Sequence, residues 1–293
     1  MNILITGSTG YFGRYLIPQL IENNHNVLEI TRSLDKSFEL FADSTEKLLL
    51  INKQNEMIEA VENFNPDIVI HLAAHLTSND DYKSMLKLYD SNILFLGKIL
   101  DMVKNCNLKL FINTGTFAEY DHKKDCLDPK YLYSATKTAS RSLIQYYSKV
   151  YCFKVCTMVP FTVYGGKDTQ KKIIDIIYDS INSKFPINLS PGEQLLDFVH
   201  IDDVVDSFLT VINQESEINR NYVMHIGTGV GHTLKDLALL IEKHSEKKTN
   251  VNWGGINYRK SDIMYAVAKD VNDLAWKAQI NLSDGIKKYL KNV

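Results

Sequence analysis

The run Asn2-Ile3-Leu4-Ile5-Thr6 passes directly into Gly7-Ser8-Thr9-Gly10-Tyr11-Phe12-Gly13. A short apolar, β-branched run favours a strand. Glycines three residues apart favour a tight turn, because they reach backbone conformations closed to other residues. A helical pattern over about 11–24 follows, so the chain must open as strand, turn and helix. Further strand candidates lie at 26–31, 47–51, 67–71, 109–113 and 154–159, with amphipathic stretches near 54–64, 82–105 and 132–151. Strands alternating with helices of that length form βαβ units on a parallel sheet, with helices on both faces. The runs NILIT, DIVIHLAA and LKLFINTG are apolar almost throughout, as strands buried on both faces must be. The expected class is α/β, a doubly wound parallel sheet. Pro18 falls inside the first helix pattern and removes a backbone donor, so a kink or irregular turn is expected there.

Past residue 164 the helices, near 169–184, 202–213 and 233–245, are separated by longer Gly- and Pro-containing stretches. This pattern implies a smaller C-terminal substrate lobe. The expected division is 1–163 with a return segment at about 198–226, against 164–197 and 227–293 for the lobe. Hydrophobic residues make up 45%, charged residues 23%, and the net charge is −2, so no basic field points to nucleic acid. The pairs Lys171-Lys172 and Lys247-Lys248 read as solvated. The four cysteines, Cys106, Cys126, Cys152 and Cys156, make no CxxC pair, and no His cluster has zinc-ligand spacing. Neither a disulfide framework nor a metal is expected. Cys152 and Cys156 fall in an apolar run and read as core thiols of a strand in a reducing compartment. No apolar run approaches the ~20 residues that span a bilayer, and no signal-like segment precedes the first strand; a cytoplasmic location is expected.

A glycine loop between a first strand and a first helix brings backbone close to a pyrophosphate, and the helix N-terminus offers it N–H groups and a positive dipole end. That is the Rossmann arrangement. Where an NAD site usually places an acid at the end of the second strand, this chain has Thr31 followed by Arg32. A guanidinium there can pair with a 2′-phosphate, which predicts NADPH (NADP) rather than NAD; the alternative is that Arg32 points into solvent. Tyr133-Ser134-Ala135-Thr136-Lys137 opens a strong helix pattern, and an i, i+4 pair shares one face. A free Tyr titrates near 10, and a neighbouring ammonium favours the phenolate, so Lys137 is expected to lower Tyr133. Asn113-Thr114-Gly115-Thr116 ends the fifth strand, at the sheet edge where ligands sit, and places the Thr116 hydroxyl to hold a reacting oxygen.

Taken together, TGSTGYFG, His71-Leu72-Ala73-Ala74, Asn92, the hydroxyl-bearing strand end and YSATK resemble the extended short-chain dehydrogenases/reductases, the NAD-dependent epimerase/dehydratase family. The resemblance runs on through Asp197-Phe198-Val199-His200-Ile201-Asp202-Asp203-Val204, Ile226-Gly227-Thr228-Gly229 and the Trp276 region. It implies that Tyr133 is the catalytic acid/base, Lys137 its partner and Thr116 the third member. It implies cofactor contacts from Gly7, Thr9, Gly10, Tyr11, Phe12 and Gly13, then from Arg32, Leu72, Ala73, Ala74, Asn92, Thr114 and Pro160, besides Tyr133 and Lys137. It implies a nucleotide-diphosphate sugar as substrate, met by His75, Phe117, Thr162, Arg259 and Asp262. The last two stand at the family's Arg-x-x-Asp spacing for holding the nucleotide.

Departures from the family narrow the chemistry. Sugar 4,6-dehydratases carry Asp-Glu after the catalytic Thr; here those places are Phe117 and Ala118, with Glu119 one further on. The added Cys and His of GDP-fucose-forming epimerase-reductases align with Ala118 and Lys167. The pieces NTGTFAEY, LYSATK and SDIMYAVAKDVNDLAWKAQINLSDGI resemble the branch of CDP-paratose and CDP-abequose synthases, which implies reduction of a 4-keto sugar at C4. Alternatives are a C4 epimerase retaining NAD, a catalytically silent NADPH-binding sensor or scaffold, and an unrelated ketone or flavonoid reductase. His71 and His200 are expected to be packed, Asn92 to brace the site backbone, and Tyr164 to Lys167 to line the sugar pocket. Tyr131 and Phe117 are expected beside the sugar or in the core. The stretches 82–105 and 132–151 resemble the family's two-fold four-helix interface, so a homodimer is expected.

Overall fold

The computed structural model describes residues 1–42, 48–51, 54–168, 170–269 and 274–291. The first half runs β1 (Asn2–Thr6), α1 (Gly13–Glu22), β2 (Asn26–Ile30), α2 (Leu34–Phe41), β3 (Leu48–Ile51), α3 (Gln54–Phe64), β4 (Ile68–His71), α4 (Tyr82–Tyr89), α5 (Phe95–Val103) and β5 (Leu110–Thr114). A hairpin of β6 (Tyr120–Asp121) and β7 (Cys126–Leu127) leads to the long α6 (Leu132–Tyr151), then β8 (Lys154–Pro160) and β9 (Thr162–Tyr164). The remainder comprises α7 (Ile173–Ser180), β10 (Ile187–Leu189), β11 (Leu195–His200), α8 (Ile201–Asn213), β12 (Asn221–Ile226), β13 (Gly231–His232), α9 (Leu234–Ser245), β14 (Val251–Trp253), β15 (Tyr265–Ala266) and α10 (Leu282–Lys291).

Seven strands form one sheet in the order β3-β2-β1-β4-β5-β8-β12, and every neighbouring pair is parallel. Strand order reverses between β1 and β4, which opens a crevice at their carboxyl ends. Ile3, Leu4 and Ile5 are fully buried because both faces are covered. On one face, Ile3 and Ile5 pack with Leu16, Ile17 and Leu20 of α1 and Val204, Phe208 and Val211 of α8. On the other, Leu4 and Phe111 pack with Val61 of α3, Leu96, Ile99 and Leu100 of α5, and Ile144 of α6. This is the doubly wound parallel sheet expected from the sequence.

Helix α1 continues through Pro18, so the proline does not end it. An interior proline costs about 3 kcal/mol, and each of Leu16, Ile17 and Leu20, all fully buried, returns roughly 1.5–3 kcal/mol. Packing therefore outweighs the lost donor. Cys156 is a buried thiol of β8, but Cys152 is exposed and in the left-handed region at φ 62°, where it ends α6 before the strand begins. Its expected place in a core strand is wrong: the apolar run spans a helix end and a turn. The stretch at 82–105 is two α-helices joined by a π-helical turn over Asp90–Leu94.

A second group of elements covers the carboxyl end of the sheet. Strand β11 pairs in parallel with β9 and β15 and antiparallel with β13, while β10 pairs with β14. Helices α7, α9 and α10 close over it through Ile174, Ile177, Leu237, Ile241, Ile286 and Tyr289. Helix α8 and β12 return to the main sheet. The fully buried Asp197 of β11 ties this region together. It accepts from the Thr228 N–H (2.9 Å) and hydroxyl (2.7 Å), the Gly229 N–H (2.8 Å) and the Ala268 N–H (3.2 Å). Asp203 of α8 likewise accepts from the N–H groups of Gln279 and Ile280, each at 3.0 Å. Among the described residues no helix is long and apolar enough to cross a membrane. Replacing Asp197 by Ala strands these donors; each orphaned group costs about 1–3 kcal/mol, so Asp197→Ala should lower the unfolding free energy by roughly 3 kcal/mol or more in urea titration.

Candidate active site

The glycine loop sits at the crevice between β1 and β4. Gly7 has φ +74°, and a Cβ there would lie 2.5 Å from Ala73 N, so only glycine lets the loop rest on the 72–73 backbone. A Cβ on Gly13 would run into the Ser8 backbone. Gly10 N–H closes the turn on Gly7 O at 3.0 Å. The loop thus leads into the N-terminus of α1, where Arg14 N–H donates to Gly10 O at 3.3 Å and the Tyr15 and Leu16 N–H groups donate to Phe12 O at 3.1 and 3.0 Å, and the positive end of the helix dipole stands beside the glycines. Thr9 and Phe12 are half-buried there. The Arg14 guanidinium donates to Thr9 O (3.3 Å) and to Lys167 O (3.3 Å). The Tyr11 phenol turns to the second lobe, donating to Gly165 O at 2.5 Å under the Lys172 ammonium, 4.4 Å from the ring centroid.

At the end of β2, Thr31 is buried and Arg32 is exposed. Two residues earlier stands a carboxylate that the sequence pattern conceals. Glu29 is fully buried; it accepts from the Ser8 hydroxyl of the loop and from the Ser37 hydroxyl (2.6 Å) of α2. The acid absent from the strand end therefore exists one pleat lower, clasped by hydroxyls beneath the loop. At the end of β4, His71 is buried and shares a 2.9 Å hydrogen bond with the Thr6 hydroxyl. Burial, and then the Lys137 ammonium, push its pKa down to about 3, so the ring is neutral and packed, as expected. Leu72 and Ala73 are half-buried, Ala74 is exposed, and His75 N–H donates to Asn92 Oδ1 at 2.7 Å.

Asn92 lies buried in the π-helical turn. Its amide donates to His75 O (3.2 Å) and to the Thr136 hydroxyl (2.9 Å), and its carbonyl accepts from the Ser140 hydroxyl (2.9 Å). Asn92 thus braces the 71–75 segment and the start of α6 at once. The Tyr131 N–H and carbonyl both bind the Ser134 hydroxyl, at 2.9 and 2.8 Å, which fixes the helix start. On this helix Tyr133 is half-buried and Lys137 is buried.

Thr116 follows β5 in extended backbone at the head of a 3-10 turn, Phe117–Glu119. Its N–H donates to Glu119 Oε1 at 2.7 Å, and its hydroxyl accepts from Ala118 N–H at 3.3 Å. The Lys137 ammonium is pushed down to about 8 by burial, with Glu119 opposing and Arg141 assisting. The Tyr133 phenol is pushed up, first by burial and then by Glu119. The expected lowering of Tyr133 by Lys137 is not found: desolvation dominates the phenol, and the nearby charge that it senses is the Glu119 carboxylate.

Buried polar atoms test the fit of a nicotinamide dinucleotide. The Thr114 hydroxyl, at the carboxyl end of β5, is buried with no partner among the described residues. With the close-approach glycines at the head of α1, this arrangement fits the cofactor. Pro160 is buried at the end of β8, and Thr162 is half-buried in register with Phe198. Phe117 stacks on Phe161, centroids 5.9 Å apart at 17°, and its carbonyl bonds His122 Nε2 at 2.8 Å. The Asp262 carboxylate caps its own turn by accepting from Arg259 N–H (2.9 Å), and it also hydrogen-bonds the Tyr131 phenol. Arg259 is exposed. The 259–262 turn therefore meets Tyr131 at the start of α6, an approach that sequence spacing gave no sign of. Tyr164 and His200 are both buried, with rings edge-on at 5.3 Å, so His200 is packed as expected. Among the described residues no group of three or more His, Cys, Asp or Glu is placed to hold a metal ion.

The model of the NAD dependent epimerase/dehydratase family matches residues 3–227, and the chain belongs to that family. It is 30% identical to a CDP-abequose synthase of Yersinia pseudotuberculosis over 290 residues, 99% of this chain and 98% of that one. A CDP-abequose synthase of Salmonella typhimurium is 27% identical, again over 99% and 98% of the two chains. Among solved structures, a UDP-glucuronic acid 4-epimerase of Bacillus cereus, in complex with UDP-glucuronic acid and NAD, superposes with a TM-score of 0.87 at 21% identity, covering 99% and 98% of the two chains. That likeness shows the fold.

Neutral burial of His71 has a pH signature. Its pKa is near 3 in the folded protein and about 6.5 when unfolded, so the unfolded state takes up the proton first. Stability from this residue is present above pH ~6.5 and is lost as pH falls toward 3, by about 1.4 kcal/mol per unit. Denaturant titrations at pH 6.5 and 4.5 should give a smaller loss for His71→Gln than for the wild type; equal losses contradict the assignment.

Proposed function

We propose that the protein reduces the C4 ketone of a nucleotide-diphosphate 4-keto-6-deoxy or 3,6-dideoxy hexose, with NADPH. The observation that carries this reading is Glu119, which accepts from Thr116 N–H at the end of β5 and bears electrostatically on both Tyr133 and Lys137 of α6, in a segment whose side chains after Thr116 are unable to remove water. Phe117 is stacked on Phe161, Ala118 is buried, and Glu119 is fully buried and bonded to Thr116 N–H. That supports a ketone reductase over a dehydratase. The full-length similarity to two CDP-abequose synthases supports a 3,6-dideoxy sugar carried on CDP.

The reduced nicotinamide, when bound, supplies the hydride for C4. Tyr133 delivers its phenolic proton to the C4 oxygen, and Thr116 donates a hydrogen bond to the same oxygen. A phenol pushed upward keeps its proton at neutral pH, which suits an acid in reduction better than a base in oxidation. Lys137, near 8, stays largely cationic at neutral pH and can return a proton to the phenolate. The Gly7–Gly13 loop, the Ala73 segment, Thr114 and Pro160 would hold the dinucleotide; Thr162, Arg259 and Asp262 with His75 and Phe117 would hold the sugar nucleotide.

Arg32, exposed beside the loop, is the group for a 2′-phosphate, and Glu29 is turned inward, away from a ribose. A second copy of the chain would cover the apolar side chains that α4 and α6 expose, among them Tyr82, Leu86, Leu143 and Tyr146.

The deciding assay follows NADPH oxidation with CDP-, dTDP- and GDP-linked 4-keto-6-deoxy and 3,6-dideoxy sugars. Stoichiometric oxidation with one member is expected; no oxidation, with NAD retained in the purified protein, would favour the C4 epimerase instead. Tyr133→Phe should lose at least ~100-fold in turnover, and near-normal turnover would overturn its role. Arg32→Ala should weaken NADPH binding about tenfold while sparing NADH; tighter NADH binding by the wild type would reverse the cofactor assignment.

A further inference from the structure

Tyr133, Lys137 and Arg141 stand at i, i+4 and i+8 of α6, so one stripe of the helix carries the two proposed catalytic groups and a guanidinium. Arg141 is 9% exposed and Glu119 is fully buried. The guanidinium pairs with the carboxylate, Nη2 donating to Oε1 at 3.1 Å and Nε lying 2.8 Å from Oε2 as an ion-pair contact without hydrogen-bond geometry. Its third nitrogen, Nη1, donates to the Tyr120 hydroxyl at 2.6 Å, and the Tyr120 ring centroid lies 5.2 Å from the guanidinium carbon. The carboxylate in turn accepts from Thr116 N–H at 2.7 Å and from the Thr138 hydroxyl at 3.2 Å. It therefore joins the backbone of Thr116 to the helix that carries Tyr133 and Lys137. Gly115 makes the approach possible: a Cβ there would lie 2.6 Å from Glu119 Oε1 and 3.0 Å from Arg141 Nη2.

Resting on the reading of Thr116, Tyr133 and Lys137 as the reacting constellation, we propose that Glu119 and Arg141 are positioning residues, a sealed ion pair that sets the Thr116 hydroxyl against the catalytic helix. Sealing two charges is expensive, and apolar side chains of the same size fill such a site at similar or better stability. Fold stability alone therefore does not call for the pair. What an apolar pair lacks is direction: the Arg141 Nη2, Thr116 N–H and Thr138 hydroxyl bonds fix the carboxylate in one place.

The pair also sets the field. Lys137 faces Glu119, Arg141 and the neutral His71; Tyr133 faces Glu119; Arg141 faces Tyr120 and His225, whose pKa burial lowers to about 4, so that it is neutral at pH 7. A lone Arg141 one turn from Lys137 would drive the ammonium further down. Glu119 offsets it.

The test uses the full chain in two forms, Glu119→Gln and the double variant Glu119→Leu/Arg141→Met. Three readouts are taken. The first is the thermal midpoint. The second is the Lys137 titration in protein labelled with [ε-13C]lysine, its signal identified by its loss in Lys137→Met. The third is kcat and KM for NADPH-dependent reduction of the CDP-4-keto-3,6-dideoxy sugar. In Glu119→Gln the Lys137 midpoint should fall by about one pH unit from the wild-type value near 8. The double variant should melt near the wild-type temperature yet lose about tenfold or more in kcat, with KM changed less than about twofold. Wild-type kcat in the folded double variant, or an unmoved Lys137 in Glu119→Gln, overturns the proposal, as does a kcat loss that merely tracks the unfolded fraction. Failure of both variants to fold makes the pair a folding determinant and also overturns it. The lysine titration needs no sugar. A wild type inactive on that sugar thus refutes the substrate reading, and the titration alone then decides the role of the pair.

Discussion

All seven strands of the main sheet run in one direction, and the middle ones are buried on both faces. A strand so placed can carry almost no polar side chain along its length without desolvating it. The polar chemistry collects where the strands end, at Thr6 and the glycine loop, at His71, at Thr114 and Thr116, and beyond Pro160. Reversal of strand order between β1 and β4 then decides which of those ends leave a gap. The site is thus a consequence of strand direction and burial before any catalytic residue is considered. The later elements are held by backbone-seeking carboxylates, Asp197 of β11 and Asp203 of α8, which bind loop N–H groups.

What the sequence made legible follows from periodicities that survive in one dimension. The double-sided burial of β1, β4 and β5 reads as unbroken apolar runs. The loop reads from glycine spacing, and the Tyr133–Lys137 stripe from a four-residue interval on one helix. What was hidden depends on register between distant elements. Glu119 and Arg141 are 22 residues apart and meet only because the end of β5 abuts α6. Glu29 interrupts an apolar strand and gains its meaning from Ser8 and Ser37, which lie on other elements. The two-residue strands of the lobe are too short to show any period. Helix α10 was missed because Gly285 reads as a breaker, yet a Cβ there would collide with the Tyr164 hydroxyl, so packing demands the residue that propensity disfavours.

Desolvation is the common sign of the site's electrostatics. It pushes Lys137 and His71 down and Tyr133 up, each toward its neutral form. Glu119 modifies that trend in a consistent sense: it favours protons on both Tyr133 and Lys137.

The π-helical turn at Asp90–Leu94 has a further consequence for the chain's history. Such a turn is one residue more than an α-helix needs, and each residue of helix is about 100° of rotation. Everything on α4 is therefore rotated by one residue relative to α5. That offset lets Tyr82, Leu86 and Tyr89 face outward while Asn92 faces α6 and Leu96, Ile99 and Leu100 face the sheet. Deleting any one residue of the turn would restore a regular helix and put the two halves out of phase, sacrificing either the outer stripe or the brace on the catalytic helix. The length of this segment is thus as tightly constrained as its composition, and gaps among descendants of this chain should avoid it.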